Sequence, residues 1–259
     1  MKLTPLKLAL ALLTALPVAK YLKETDYNET KRTAAIDYYG FVGLLLGITL
    51  FLVSQLLRPI LPDYLAAVIL LISWVASTGA LHLDGLADCS DAAAAGHRDS
   101  SNYLTIMKSS EVGAMALVAV CLQLLFKAAL ITALLQSSAS NLDLFLALAT
   151  ATTLSRILAG FYQQTTPYAR DIGLGLAVTQ AVFINNGLIA AALCMTLAIA
   201  ISLTSTMSVV AGSVLLLLCW RHFWLKRIAG YTGDCVGAFI ELNESLVLIL
   251  FIVTVGISQ

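Results

Sequence analysis

Seven runs of mostly apolar residues, each long enough or nearly so to cross a bilayer, constrain this chain more than any other feature: Ile36–Leu57, Tyr64–Leu83, Val112–Gln136, Leu142–Phe161, Ala181–Leu203, Met207–Phe223 and Val236–Val255. About 20 such residues in a helix match the hydrocarbon thickness of a membrane. Inside lipid a helix also satisfies its own backbone donors and acceptors. Composition agrees. Of 259 residues, 59% are hydrophobic and 12% charged, against about 25% charged in soluble domains. The expected fold is therefore all-α, a polytopic membrane helix bundle of about seven transmembrane helices in one domain over residues 1–259. The shorter run Leu3–Val18, flanked by Lys2 and Lys7 and closed by Pro17, is expected to be an interfacial or re-entrant helix rather than a cleaved signal or an eighth span.

Formal net charge is zero, from 15 basic and 15 acidic residues, which excludes a nucleic-acid binder that relies on excess basic charge. The five cysteines form no CxxC pair and no zinc spacing, so a disulfide framework is not expected and a reducing cytosolic face fits. Alternating spans place Lys20, Lys23, Lys31, Arg32, Arg98, Lys108, Arg170, Arg221, Lys226 and Arg227 on one side, against Arg58 on the other. By the positive-inside rule the first side is cytoplasmic. Most carboxylates follow it, and the opposite loops are too short to form a pocket. Any chemistry is thus expected at the cytoplasmic face of the cell (inner) membrane. Transporters keep ionisable groups near the midplane; here Lys127 alone lies mid-span, and it reads as a snorkelling or paired side chain.

The most informative segment is His82-Leu-Asp-Gly-Leu-Ala-Asp-Cys-Ser-Asp91. Asp84, Asp88 and Asp91 stand at i, i+4 and i+7, which puts them within roughly 60° of arc on one helical face. Like charges at that spacing destabilise a helix, so a hard divalent cation is the natural partner; Mg²⁺ takes carboxylate and phosphate oxygens. Gly85 costs about 1 kcal/mol in a helix, and the missing side chain would let a phosphate or a neighbouring helix approach. His82 is equally compatible with a ligand, a hydrogen-bond donor to phosphate, or a structural histidine.

Three further segments add cations and turns. Lys108 precedes a helix N-terminus, where anions are favoured. Arg156 sits inside an apolar run and needs an aspartate or phosphate partner. Arg170 lies in a glycine-containing loop. Gly230-Tyr-Thr-Gly-Asp-Cys-Val-Gly237 opens the last span; its glycines suit a phosphate, though Thr232 or Asp234 would equally cap the helix. Glu241, one to two turns further, should coordinate something or pair, for instance with Arg156.

Together these segments resemble the cobalamin synthase family, the adenosylcobinamide-GDP ribazoletransferases. The matching stretches are His82-Leu-Asp-Gly-Leu-Ala-Asp-x-x-Asp91, Ile106-Met-Lys108, Pro167-Tyr-Ala-Arg170 with Gly173-Leu-Gly175, and Tyr231-Thr-Gly-Asp234-x-x-Gly237-Ala followed by Glu241. Two departures stand out: Ser109 where the family usually has Asp, and Ala229 where it has the first glycine of GGYTGD. The resemblance implies a Mg²⁺-dependent phosphoryl transfer in which α-ribazole, or its 5′-phosphate, attacks adenosylcobinamide-GDP and GMP leaves. It implies that Asp84 and Asp88 hold the metal, with Asp91 completing the site or taking the hydroxyl proton beside His82. Lys108, Arg156 and Arg170 would then stabilise the diphosphate, and Thr232, Gly233, Asp234 and Glu241 the nucleotide or a second metal. Its partners are those two substrates and the bilayer, with no nucleic acid; a homo-oligomer is compatible. Two alternatives fit less well. The acid spacing of CDP-alcohol phosphotransferases is not matched, since Ala87 is followed by Asp88 rather than Arg, and one-sided carboxylates argue against a cation or corrinoid carrier.

Overall fold

A computed structural model describes residues 3–27, 29–95, 103–109, 111–137, 140–170 and 203–254, and among them every regular element is helical. In chain order these are α1 (Leu3–Leu13), α2 (Glu29–Ile36), α3 (Tyr39–Leu57), α4 (Asp63–Thr78) and α5 (Leu81–Ala95). The single turn α6 (Tyr103–Ile106) follows, then α7 (Ala114–Gln136), α8 (Asn141–Thr165), α9 (Leu203–Ile228) and α10 (Gly233–Thr254). Five of them, α3, α7, α8, α9 and α10, are long and apolar enough to cross a membrane. The expected span Ala181–Leu203 lies, apart from its last residue, outside the described residues.

The second expected span is corrected. It ends at Thr78, because Gly79 and Ala80 both adopt left-handed backbone, with φ of 63° and 58°. The chain then turns by 87° into α5. Together α4 and α5 are apolar enough to form a broken span or a re-entrant loop, and α5, with its three aspartates, packs against the first turn of α10 at Gly85. His82 and the acid run therefore belong to a separate helix.

Close helix contact is bought with glycine on α3. A Cβ on Gly43 would come within 2.5 Å of the Thr152 carbonyl oxygen, and one on Gly47 within 2.6 Å of the Ala149 Cα. Small residues four apart let helix backbones meet in lipid, where apolar burial drives little association. α8 and α10 form the middle of the bundle, with Phe239, Val247, Leu248 and Phe251 fully buried. Leu52, Leu56, Ile72, Leu117, Leu125 and Leu215 point outward, as lipid-facing residues do. The N-terminal helix is not a loose tail: Leu8 and Ala9 are fully buried, and the Ala15 N–H donates to the Ser77 carbonyl at 2.8 Å. That bond anchors α1 beside the α4–α5 bend.

Candidate active site

Two segments far apart in sequence are pinned together. The Tyr231 N–H donates to the Pro167 carbonyl and the Ala169 N–H to the Tyr231 carbonyl, both at 2.9 Å, forming a one-residue parallel bridge. The Tyr168 and Tyr231 rings meet edge to face at 5.3 Å. Gly230 has to be glycine here, since a Cβ would stand 2.3 Å from the Pro167 oxygen. The bridge delivers Arg170 to the start of α10, where its Nη2 donates to Asp234 Oδ2 at 2.8 Å. Gly85 does the same for α5. A Cβ there would lie 2.6 Å from the Asp234 carbonyl oxygen, so the missing side chain lets α5 cross directly over the first turn of α10.

The result is a cavity of about 580 Å³ into which Asp84, Asp234, Gly233, Lys108, Arg170 and His82 all project. It has two poles. Arg170, Lys108 and the N-terminus of α10 favour anions. Asp84 and Asp234, with Asp88 one turn behind on α5, favour a cation. Burial pushes the Asp88 carboxyl up to about 6, and the negative charges of Asp234 and Asp84 push the same way. His82 is 4% exposed and both its ring nitrogens lack a hydrogen-bond partner. That is an unusual state for a buried imidazole, and it leaves the ring able to bond a ligand in the cavity.

Several expected site residues are placed elsewhere. Asp91 shares the helical stripe, but seven residues of helix separate it from Asp84 by about 10 Å. Its Oδ2 accepts from the Gly113 N–H at 2.6 Å and its Oδ1 from the Ala116 N–H at 2.8 Å. It caps the N-terminus of α7. Among the described residues no group of three or more His, Cys, Asp or Glu side chains is placed to hold a metal by itself. Thr232 is fully buried and accepts from the Cys235 N–H at 3.3 Å, so it is the cap of α10 rather than a pocket residue.

Arg156 is fully buried and ion-paired with Glu244. Glu241 pairs with Lys127 at 2.5 Å, and Lys127 reaches Glu244 at 2.6 Å. Gln123 donates to the Glu241 carbonyl at 2.8 Å and to Ser245 Oγ at 2.9 Å. These charges, two of each sign, form a buried cluster between α7, α8 and α10 and do not line the cavity. Lys127 is thus a paired residue. The segment Gly173–Gly175 lies outside the described residues.

Residues the sequence did not single out complete the walls: Leu8, Leu12, Tyr27, Arg32, Tyr39 and Gln163. Arg32 was visible only as one of many basic residues on the charged side. A separate cavity of about 450 Å³, lined by residues such as Leu86, Phe126 and Trp220, is almost wholly apolar and receives none of the charged groups.

Fold and site together define a polytopic helical membrane protein with an oxygen-rich, anion-compatible pocket. The chain matches the family described as Cobalamin-5-phosphate synthase over residues 5–252, and it belongs to that family. Relatives named Adenosylcobinamide-GDP ribazoletransferase include one from Acinetobacter baumannii, 34% identical over 97% of this chain and 98% of its own. Another, from Stutzerimonas stutzeri, is 37% identical over 97% and 99%. A third, from Pseudomonas aeruginosa, is 36% identical over 95% and 97%. No solved structure matches the chain.

Proposed function

We propose that this pocket joins α-ribazole, or its 5′-phosphate, to adenosylcobinamide-GDP and releases GMP, at the cytoplasmic face of the inner membrane. One observation carries the reading: carboxylates, guanidinium, ammonium and a helix N-terminus converge on a single cavity. Phosphoryl transfer is catalysed mainly by positioning and charge neutralisation, and those are the parts present. The names of the relatives support adenosylcobinamide-GDP as donor and a ribazole as acceptor.

The donor set is all oxygen, which suits Mg²⁺, and Mg²⁺ is commonly held by one or two carboxylates plus substrate phosphates. Asp84 and Asp234 would hold it, with Asp88 behind them; bound there, it would offset the charge of the diphosphate. Arg170 and Lys108 bind phosphate oxygens, and the positive end of α10 favours their charge. The ribose hydroxyl oxygen forms a bond to the cobinamide-linked phosphorus, the bond from that phosphorus to the GMP oxygen breaks, and Asp88 accepts the hydroxyl proton. A carboxylate raised to about 6 is well matched to that task near neutral pH. His82, unpartnered in the wall, hydrogen-bonds a phosphate or hydroxyl oxygen.

The test is GMP release by purified protein in detergent, given adenosylcobinamide-GDP, α-ribazole 5′-phosphate and Mg²⁺. Product formation that stops on chelation and fails in Asp84→Asn is expected. Turnover unaffected by either would remove the carboxylate pole from the mechanism.

A further inference from the structure

The reaction brings two anions into one cavity when the acceptor carries a phosphate. Two phosphates at close range repel strongly in a partly buried site, so the acceptor phosphate needs a cation of its own. Of the three cations lining the cavity, Arg170 is bonded to Asp234 beside the first turn of α10 and Lys108 follows α6. The third, Arg32, comes from α2. It shares the wall with Leu8, Ala11 and Leu12 of α1 and with Tyr27 and Gln163. Lys31 does not line the cavity and is ion-paired with Asp26 at 2.7 Å; Arg32 is the α2 cation in the cavity wall. The wall is fixed in place by the buried face of α1 and by the bond from Ala15 to Ser77.

An apolar helix face, a phenol, an amide and a guanidinium suit a flat aromatic base on a sugar that carries one phosphate. Guanidinium is the side chain best shaped for bidentate phosphate recognition. We infer that α1 and α2 build the acceptor subsite, with the base against Ala11 and Leu12 and Arg32 holding the acceptor's 5′-phosphate. This rests on the reaction proposed above.

The experiment compares α-ribazole with α-ribazole 5′-phosphate as acceptors for wild type, Arg32→Ala, Arg32→Gln and Arg32→Lys. A lost charge-assisted contact corresponds to about a 10- to 100-fold rise in KM. That rise is expected with the phosphorylated acceptor only, in Arg32→Ala and Arg32→Gln. KM for the unphosphorylated acceptor and for adenosylcobinamide-GDP should stay within about twofold, and Arg32→Lys should recover part of the loss. Arg32→Gln keeps length and hydrogen bonding, so it carries the readout if Arg32→Ala does not fold. Equal losses with both acceptors, or a shift confined to the donor, would overturn the inference alone. Wild-type protein that releases no GMP with either acceptor would overturn the reaction beneath it.

Discussion

At the scale of single residues, Asp88 and Ala229 respond to forces of opposite kind. Asp88 is a carboxyl whose neighbours resist its charge. Its folded pKa is raised to about 6 from an ordinary 3.8, so in the metal-free fold the carboxyl is mostly protonated below that value and ionised above it. Either proposed role, ligand or proton acceptor, requires the ionised form. Log kcat/KM should therefore fall with a slope near one as pH drops below about 6 and level off above it, and Asp88→Asn should abolish the break along with most of the activity. A profile flat from pH 5 to 8 in the wild type would detach Asp88 from the chemistry. Ala229 instead carries backbone strain. Its φ of 54° lies in the left-handed region, which costs a residue with a Cβ about 1–2 kcal/mol. Glycine, which the resemblance leads one to expect here, would adopt this backbone without that cost. Ala229→Gly should raise thermal stability by up to about 1 kcal/mol after the extra unfolded-state entropy of glycine is deducted, read as an increased Tm in detergent.

Helices decide which of the aspartates can act together. The i, i+4, i+7 spacing correctly places Asp84, Asp88 and Asp91 on one stripe, but angular alignment says nothing of distance along the axis. A helix crossing two others hands the two ends of its stripe to different partners. Asp84 meets the start of α10, and Asp91 meets the start of α7, where Gly113 leaves room for it: a Cβ there would stand 2.5 Å from the carboxylate. That crossing was legible in part, since Gly85 already signals a close approach, whereas the partner at each end depends on long-range packing. The bend at Gly79–Ala80 was hidden because the apolar run continues through it. Asp91→Asn should cost about 1–2 kcal/mol in stability by weakening the cap while leaving the Mg²⁺ dependence of GMP release unchanged. A tenfold rise in the Mg²⁺ requirement would return Asp91 to the metal site.

Across the whole molecule, ionic groups divide between a wet end and a dry middle, and hydropathy marks only the first. Loop charges and their side were readable from span alternation. Arg156 and Glu241 were not, because a charged residue inside an apolar run signals that it has a partner without saying which. The structure supplies the answer as a neutral cluster joining α7, α8 and α10, in which Lys127 also stands 4.7 Å over the Trp74 ring of α4. Removing one member of a buried pair leaves an uncompensated charge, at about 3–5 kcal/mol, whereas removing both is often nearly neutral. Arg156→Met alone should therefore destabilise the protein severely. Arg156→Met combined with Glu244→Leu leaves Lys127 matched with Glu241 and should recover most of the lost Tm. Because neither side chain reaches the cavity, the double variant should also keep a near-normal KM for adenosylcobinamide-GDP. A large KM increase in a well-folded double variant would instead tie the buried cluster to substrate binding.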